Sequence, residues 1–213
     1  MLDLSEWKPD DLLKALALLG AAIAFVIGLF QYRRAQQWKR AEWVAQEMKL
    51  LFGDPRVQAA LLMIDWGSRR IPLYPDRKNV SDRYVLLTND MVARALMLHS
   101  ERPEGFSDLE ADIREAFDRA LDGLERFNAY AMAGLVELAD LRPYLKYWAD
   151  NLCDPRPVSP GENRLLRLQV YMENYGFDGA HRLLKLIAAE EARINLPNQR
   201  RVCLEAEARD GQP

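Results

Sequence analysis

The feature that most constrains this chain is a run of apolar residues close to its start. From Leu12 to Phe30 the only charged side chain is Lys14, and Ala15 to Phe30 carries no polar side chain at all. At ~1.5 Å rise per residue, about 19 helical residues reach roughly 28 Å, close to the hydrocarbon thickness of a bilayer. Lys14 falls in the first turn of the run, where its long stem lets the ammonium reach the headgroups. Trp7 on one flank, and Tyr32 and Trp38 on the other, stand where aromatic belts form. A secretory signal would need a basic leader, and here Asp3, Glu6, Asp10 and Asp11 face only Lys8. A buried core helix is usually shorter and less uniformly apolar, and an interfacial helix needs a polar face. The run is therefore read as one transmembrane helix, residues 12–30.

The flanks set its direction. Arg33, Arg34, Lys39 and Arg40 follow the span directly, while acidic residues dominate before it. Basic residues are retained on the cytoplasmic side, which places residues 1–11 as a short extracytoplasmic N-terminus of an inner-membrane, single-pass protein. The same four cations would lie against lipid headgroups, whether they contact anionic lipid or only fix topology. Within the span, Gly20, Ala24 and Gly28 recur every fourth residue. A stripe of small side chains lets two helices approach closely in lipid, so it predicts homo-oligomers; frequent Gly and Ala in membrane helices is the plainer reading.

Apolar periodicity continues past the membrane through Ala41, Val44, Ala45, Met48, Leu51 and Phe52, with no breaker before Gly53. This predicts a stiff juxtamembrane helical stalk, residues 31–53, and a helical domain over 54–196, followed by a frayed tail over 197–213. Asp54-Pro55 reads as cap and first residue of a helix reaching about Trp66. The stretch from Gly67 to Ser81 is irregular; Arg70–Tyr74 has an extended look, but Pro72 demotes it as a strand. Helical periodicity resumes over Tyr84–His99, with Thr88 or Asn89 as a cap where it divides. Ser107-Asp-Leu-Glu110 is a capping box, opening a long apolar stripe from Leu109 to Leu135. Asp140 caps a helix to Leu152 with Pro143 in its first turn, and two last helices, about 162–175 and 178–194, part at Gly176. No convincing sheet emerges. The expected fold class is all-α: a membrane helix continuing into an α-helical bundle.

Composition narrows the functions. With 49% hydrophobic residues the chain is not disordered. A net charge of −3 makes nucleic acid an unexpected default partner. Two isolated cysteines, Cys153 and Cys203, and two histidines, His99 and His181, leave no plausible metal set, and no phosphate-binding loop or dinucleotide fingerprint occurs. No cofactor is expected. The carboxylates from Glu110 to Glu125 alternate with Arg114, Arg119 and Arg126 at helical spacing, the pattern of a solvated, ion-paired face. Tyr130, Tyr144, Tyr147 and Trp148 concentrate aromatic area near Ala139, as core packing or as a protein-binding patch. His181, at the start of the last helix, reads as a surface or capping residue.

One motif bears on catalysis. Arg94-Ala-Leu-Met-Leu-His99 matches the arginine–histidine spacing of HEPN ribonucleases, in which both residues assist attack of a ribose 2′-hydroxyl on the adjacent phosphate. In a chain this rich in arginine, chance supplies such a pair readily, and residues five apart on a helix point ~140° away from each other. The order of elements, Leu12–Phe30, then the basic, Trp-bearing Arg33–Trp43, then Phe106–Trp148, resembles a diffuse group of bacterial proteins with one membrane helix and a small helical domain. It also resembles the membrane accessory protein of type VI-B CRISPR systems, which joins such an anchor to a HEPN-like bundle. That resemblance implies oligomerisation in the membrane, with pore formation, and support of antiviral defence. Arg94 is followed by Ala95, where active HEPN nucleases usually carry a polar residue, which weighs against activity. The leading expectation is a non-enzymatic, membrane-anchored oligomeric effector or scaffold. A membrane-tethered ribonuclease using Arg94 and His99 is one alternative. An adaptor that recruits a cytosolic protein partner to the bilayer is another.

Overall fold

The computed structural model describes residues 9–153, 163–190 and 193. The N-terminal segment with Trp7, the proline-rich loop from Asp154, the tail from 197 and Cys203 lie outside the described residues. The chain divides into two compact units, Met1–Trp43 and Val44–Pro213. The bundle unit thus begins well before the expected Gly53–Asp54 junction, because Val44, Met48 and Leu51 already belong to its core.

In the first unit the only described element is the beginning of α1, a helix running Pro9–Gly53 without interruption. Its part from Leu13 is long and apolar enough to cross a membrane, and none of its most apolar window is buried. Leu18 is 72% exposed and Phe25 71%. Among the described residues these side chains are not covered by the protein.

The second unit opens with the last turns of α1. Val44, Met48 and Leu51 stand four and three residues apart, on one face, and are buried. Gly53 ends the helix, and the Asp54 carboxylate accepts the backbone N–H of Arg56 at 2.8 Å to start α2, Pro55–Asp65, a cap followed by proline at the first helical position. After Trp66 the chain turns extended. Ser68–Ile71 (β1) pairs antiparallel with Val85–Thr88 (β2), with Arg70 opposite Leu86 and Ile71 opposite Val85. This small sheet corrects the helical start read from Tyr84 and gives paired strand to residues of the stretch read as irregular. Pro72 lies just beyond the paired residues and removes no ladder bond. A four-residue alternation, Leu86 out and Leu87 in, is too short to stand out in the sequence. Thr88 then caps α3, Asn89–Ala95, accepting from Met91 N–H at 3.3 Å.

The capping box forms as read: Glu110 N–H donates to Ser107 Oγ at 3.4 Å, and Ser107 N–H donates to Glu110 at 2.9 Å. Each end of the box satisfies a donor the helix leaves open. It starts α4, Asp108–Met132, whose Ile113, Phe117, Leu121 and Phe127 are buried. The stripe stops short of the expected Leu135. Gly134 takes φ +71° after the helix, the left-handed ending that glycine permits, and Leu135 lies exposed. Midway, Gly123 admits the end of α1: a Cβ there would lie 2.2 Å from Leu51 Cδ1. The next helix, α5, runs Leu138–Cys153 and starts two residues before Asp140. Asp140 acts from inside the first turn, its carboxylate accepting Glu137 N–H at 3.0 Å, which moves Pro143 into the second turn. Then come α6, Asn163–Asn174, a turn at Gly176 (φ +83°), and α7 over residues 178–190.

The unit is mostly helical, and α4 is its centre. It packs on α2 and α3, and α3 packs in turn on α6. Leu51, Val57, Leu121, Leu145 and Leu168 converge from five helices on an apolar void of about 30 Å³, too small and too apolar to need a ligand. Each such side chain contributes roughly 1.5–3 kcal/mol of burial.

Candidate functional site

Arg94 and His99 lie on different elements. Arg94 sits exposed in the last turn of α3, and His99 opens a separate 3-10 turn, His99–Glu101, after the chain has left the helix at Leu96. His99 is held by Tyr175: its N–H donates to the phenol oxygen at 3.1 Å, and Nδ1 lies 2.7 Å from the same atom. Its ring stands edge-on to Phe106 and Tyr175, at 5.1 and 5.8 Å between centroids. No hydrogen bond joins Arg94 to His99 among the described residues. Both Arg94 and His99 are exposed.

The residue that organises this region is one the sequence pattern hides. Arg114 of α4 is 8% exposed. Its Nη1 donates to Ala95 O at 2.8 Å and Met97 O at 2.9 Å, carbonyls at the end of α3 and just past it, where helical donors run out. Three rings enclose the guanidinium: Phe106 at 4.3 Å, Tyr171 at 4.8 Å and Tyr175 at 4.9 Å. Their π-faces attract the cation. One turn on, Asp118 accepts the Tyr171 hydroxyl at 2.6 Å. Burial pushes the Asp118 carboxyl up, with the Tyr171 hydrogen bond and the Arg114 charge working against it. Burial, then the Asp118 carboxylate, push the Tyr171 phenol well up, so it stays a donor at neutral pH.

The face read as solvated is therefore divided. Glu110, Arg114 and Asp118 turn inward, while Glu115, Arg119, Asp122 and Arg126 remain exposed. Desolvation of the Glu110 carboxyl opposes its ionisation. Hydrogen bonds from Ser107 N–H and Oγ, and from Arg102 at 3.2 Å, outweigh it and hold the group below its ordinary 4.5. Glu125 caps a neighbour. It accepts Ala180 N–H at 2.8 Å at the start of α7, where a carboxylate complements the helix dipole.

Arg164, 6% exposed, repeats the device on α2. Its Nε and Nη2 donate to Met63 O and Ile64 O at 3.0 and 3.1 Å, and Nη1 donates to Asn89 at 2.6 Å. Two buried arginines thus close the C-terminal ends of two helices. An arginine with its donors on carbonyls is a structural tie. The one faint sign of Arg114 in the sequence is its place beside Ile113, at the edge of the apolar stripe.

The remaining candidates scatter. The His181 side chain is largely covered; burial, aided by the Lys185 charge, lowers its pKa against Glu173, whose carboxylate lies 3.9 Å away. Tyr130 packs edge-on against Phe127 at 6.0 Å, whereas Tyr147 bonds Asp65 and meets Trp148 edge-on at 4.9 Å, so the aromatic concentration serves two separate packings. Among the described residues no group of His, Cys, Asp or Glu is placed to hold a metal ion.

In the first unit, Gly20, Ala24 and Gly28 are exposed, and a Cβ at either glycine would meet nothing within 4 Å. At ~100° per residue the three drift by only ~80° around the helix, so they form one face. Arg33, Arg34 and Lys39 are exposed and Arg40 is half-buried. Their positions fan around the helix, with Arg33 and Arg40 about two turns apart on one side. Tyr32 and Trp38, both exposed, stand among them. Against this geometry, comparison with protein-family models, with curated proteins and with solved structures finds no match.

Proposed function

We propose that this chain is a single-pass inner-membrane protein whose cytoplasmic helical domain acts as a non-enzymatic scaffold or effector, assembled through the membrane helix. The observation that carries the reading is the contrast inside α1: the residues from Leu16 to Phe30 expose apolar side chains on every side, while Val44, Met48 and Leu51 are buried. Water is a poor solvent for the first set and lipid a good one. Arg33, Arg34, Lys39 and Arg40 orient the domain toward the cytoplasm, and the Gly20/Ala24/Gly28 face supplies a contact between copies.

The buried arginines favour a scaffold, because the conspicuous polar cluster is spent on holding helix ends. The ribonuclease alternative draws no support from the separate placement of Arg94 and His99. The architectural resemblance to the type VI-B CRISPR accessory protein makes antiviral defence the context to test first. A span whose only polar side chain is Lys14 would line only a narrow or gated pore.

Oligomer size in detergent decides between these readings. Light scattering on the purified chain is expected to give a multimer that Gly20→Ile with Gly28→Ile reduces to a monomer. A wild-type monomer overturns assembly through the span. A chain that stays in the supernatant after high-speed centrifugation of lysed cells, without detergent, overturns the anchor itself.

A further inference from the structure

The β1–β2 hairpin and its connecting segment differ in charge from the rest of the chain. Between Trp66 and Thr88 stand five basic residues (Arg69, Arg70, Arg77, Lys78 and Arg83) against two acidic ones (Asp76 and Asp82), in a chain of net charge −3. The strand register divides the hairpin's faces. Ile71 and Leu87 are buried on the bundle side, with Arg69 opposite Leu87 on that same face, so Arg70 and its cross-strand neighbour Leu86 point outward. Tyr84 is extended and two residues before Leu86, which sets it on that same outward face.

The hairpin and its connecting segment carry exposed cations among large exposed apolar groups. Leu86 is 60% exposed, Val80 65%, Trp66 49% and Tyr84 43%. Arg69 stacks on Trp66 at 4.6 Å, and Arg77 on Tyr74 at 3.8 Å, so the guanidinium groups lie beside the rings that attract them. Exposed Trp and Tyr among Arg and Lys are the side chains that occupy the headgroup level of a bilayer, aromatic bodies toward the acyl chains and cations toward phosphates.

We infer that this hairpin is a second, peripheral membrane contact, which docks on anionic phospholipid headgroups through Arg70 and the exposed Arg77 and Lys78 of the connecting segment, with Tyr84 and Leu86 inserted beside them. The inference rests on the proposed anchoring for its setting. Charge complementarity selects the occupant: a positive, aromatic-bearing surface on an acidic protein fits a negatively charged bilayer.

The experiment uses the full chain with Cys153→Ser and Cys203→Ser and a single reporter thiol, Leu86→Cys, carrying an environment-sensitive fluorophore. A second reporter at the exposed Ala111 is the control. Each is reconstituted into neutral phosphatidylcholine vesicles and into vesicles with roughly one-third phosphatidylserine. The hairpin label is expected to shift blue and brighten with anionic lipid only, and to lose that response in about 0.5 M salt, where the Debye length is short. Arg70→Glu with Lys78→Glu, folded by circular dichroism, is expected to lower the docked fraction about tenfold or more. Arg70→Gln with Lys78→Gln gives a milder second series should the charge reversals disturb folding.

Sedimentation with neutral vesicles reads the anchor separately. Chain that pellets but gives identical hairpin fluorescence in both lipids overturns the inference and leaves the anchor standing. Chain that does not pellet with neutral vesicles ends the anchor reading, while a response to anionic vesicles still upholds the hairpin contact. A label that ignores phosphatidylserine and responds to added RNA overturns it in favour of nucleic acid.

Discussion

The two parts of α1 use the same kind of side chain to opposite ends. Leu18 and Phe25 in the first unit are exposed, and Met48 and Leu51 in the second are buried, yet all four are apolar residues on one unbroken helix. Helical propensity and covalent continuity are common to both parts. What differs is how many faces of the helix are apolar. Around Val44 to Leu51 the buried apolar residues keep to one stripe, with Glu42, Glu47 and Lys49 interleaved and Leu50 left exposed, so a single neighbouring surface can cover the stripe. From Ala15 to Phe30 every face is apolar, and only a medium that surrounds the helix can do so. The contrast teaches that an apolar side chain signals burial without saying in what.

The sharpest way to break this comparison is to charge the first region. Ala24→Arg with Ile27→Arg near the middle of the span should cost about 2.5–3.5 kcal/mol each for insertion. The membrane-pelleted fraction should collapse, while the domain's thermal unfolding stays unchanged. Unaltered pelleting would mean that the helix does not lie in hydrocarbon.

A core substitution tests the other side. Phe117→Ala should destabilise the bundle by about 3–5 kcal/mol, whereas Phe25→Ala, the same chemical deletion in the first unit, should leave bundle unfolding in denaturant within about 0.5 kcal/mol of wild type. Equal losses from both would show that Phe25 packs on protein.

Polar ties inside the bundle come next. Arg114→Ala strands the Ala95 and Met97 carbonyls and empties the ring enclosure. The expected loss is about 2–4 kcal/mol. Arg114→Lys should recover only a part, because an ammonium cannot reproduce the planar fork between rings. Full recovery by lysine would reduce the site to its charge.

A smaller effect is expected at the start of α7. A Cβ at Gly179 would lie 2.2 Å from Glu125 Oε2, so Gly179→Ala should swing the carboxylate away from Ala180 N–H. The lost cap should cost about 0.5–2 kcal/mol. Hydrogen exchange at Ala180 should rise with it.

Smallest is the acid limb of stability. Glu110 ionises below its ordinary 4.5 in the folded chain, so its contribution is complete above that value and is lost as pH falls through the folded pKa. Asp118, pushed up by burial, acts with the opposite sign, and its contribution declines as pH rises from 3.8 through its folded value. Glu110→Gln should therefore flatten the fall in stability below pH ~4.5, which chemical denaturation at several acid pH values would show. An unchanged acid limb would remove Glu110 from the account.

Legibility varied with the range of the interaction concerned. The capping box at Ser107, the Gly53-Asp54-Pro55 junction and the core stripe of α4 were legible because each is satisfied within one or two helical turns. The β1–β2 pair was not, since its partners stand about seventeen residues apart and four paired residues carry little periodicity. Arg94 and His99 fit a catalytic spacing in sequence, and the helix ends between them, which spacing alone does not tell.

By itself, then, the sequence determined the apolar run, its basic flank and most helix boundaries, because these depend on side-chain composition and on hydrogen bonds made close by along the chain. Only the tertiary structure decided that Arg114 and Arg164 turn inward, that Glu110 and Asp118 leave the solvated face, and that Glu125 caps α7. An arginine or carboxylate can be solvated by water or by carbonyls, rings and helix ends brought from distant elements, and nothing local to the residue says which will reach it first.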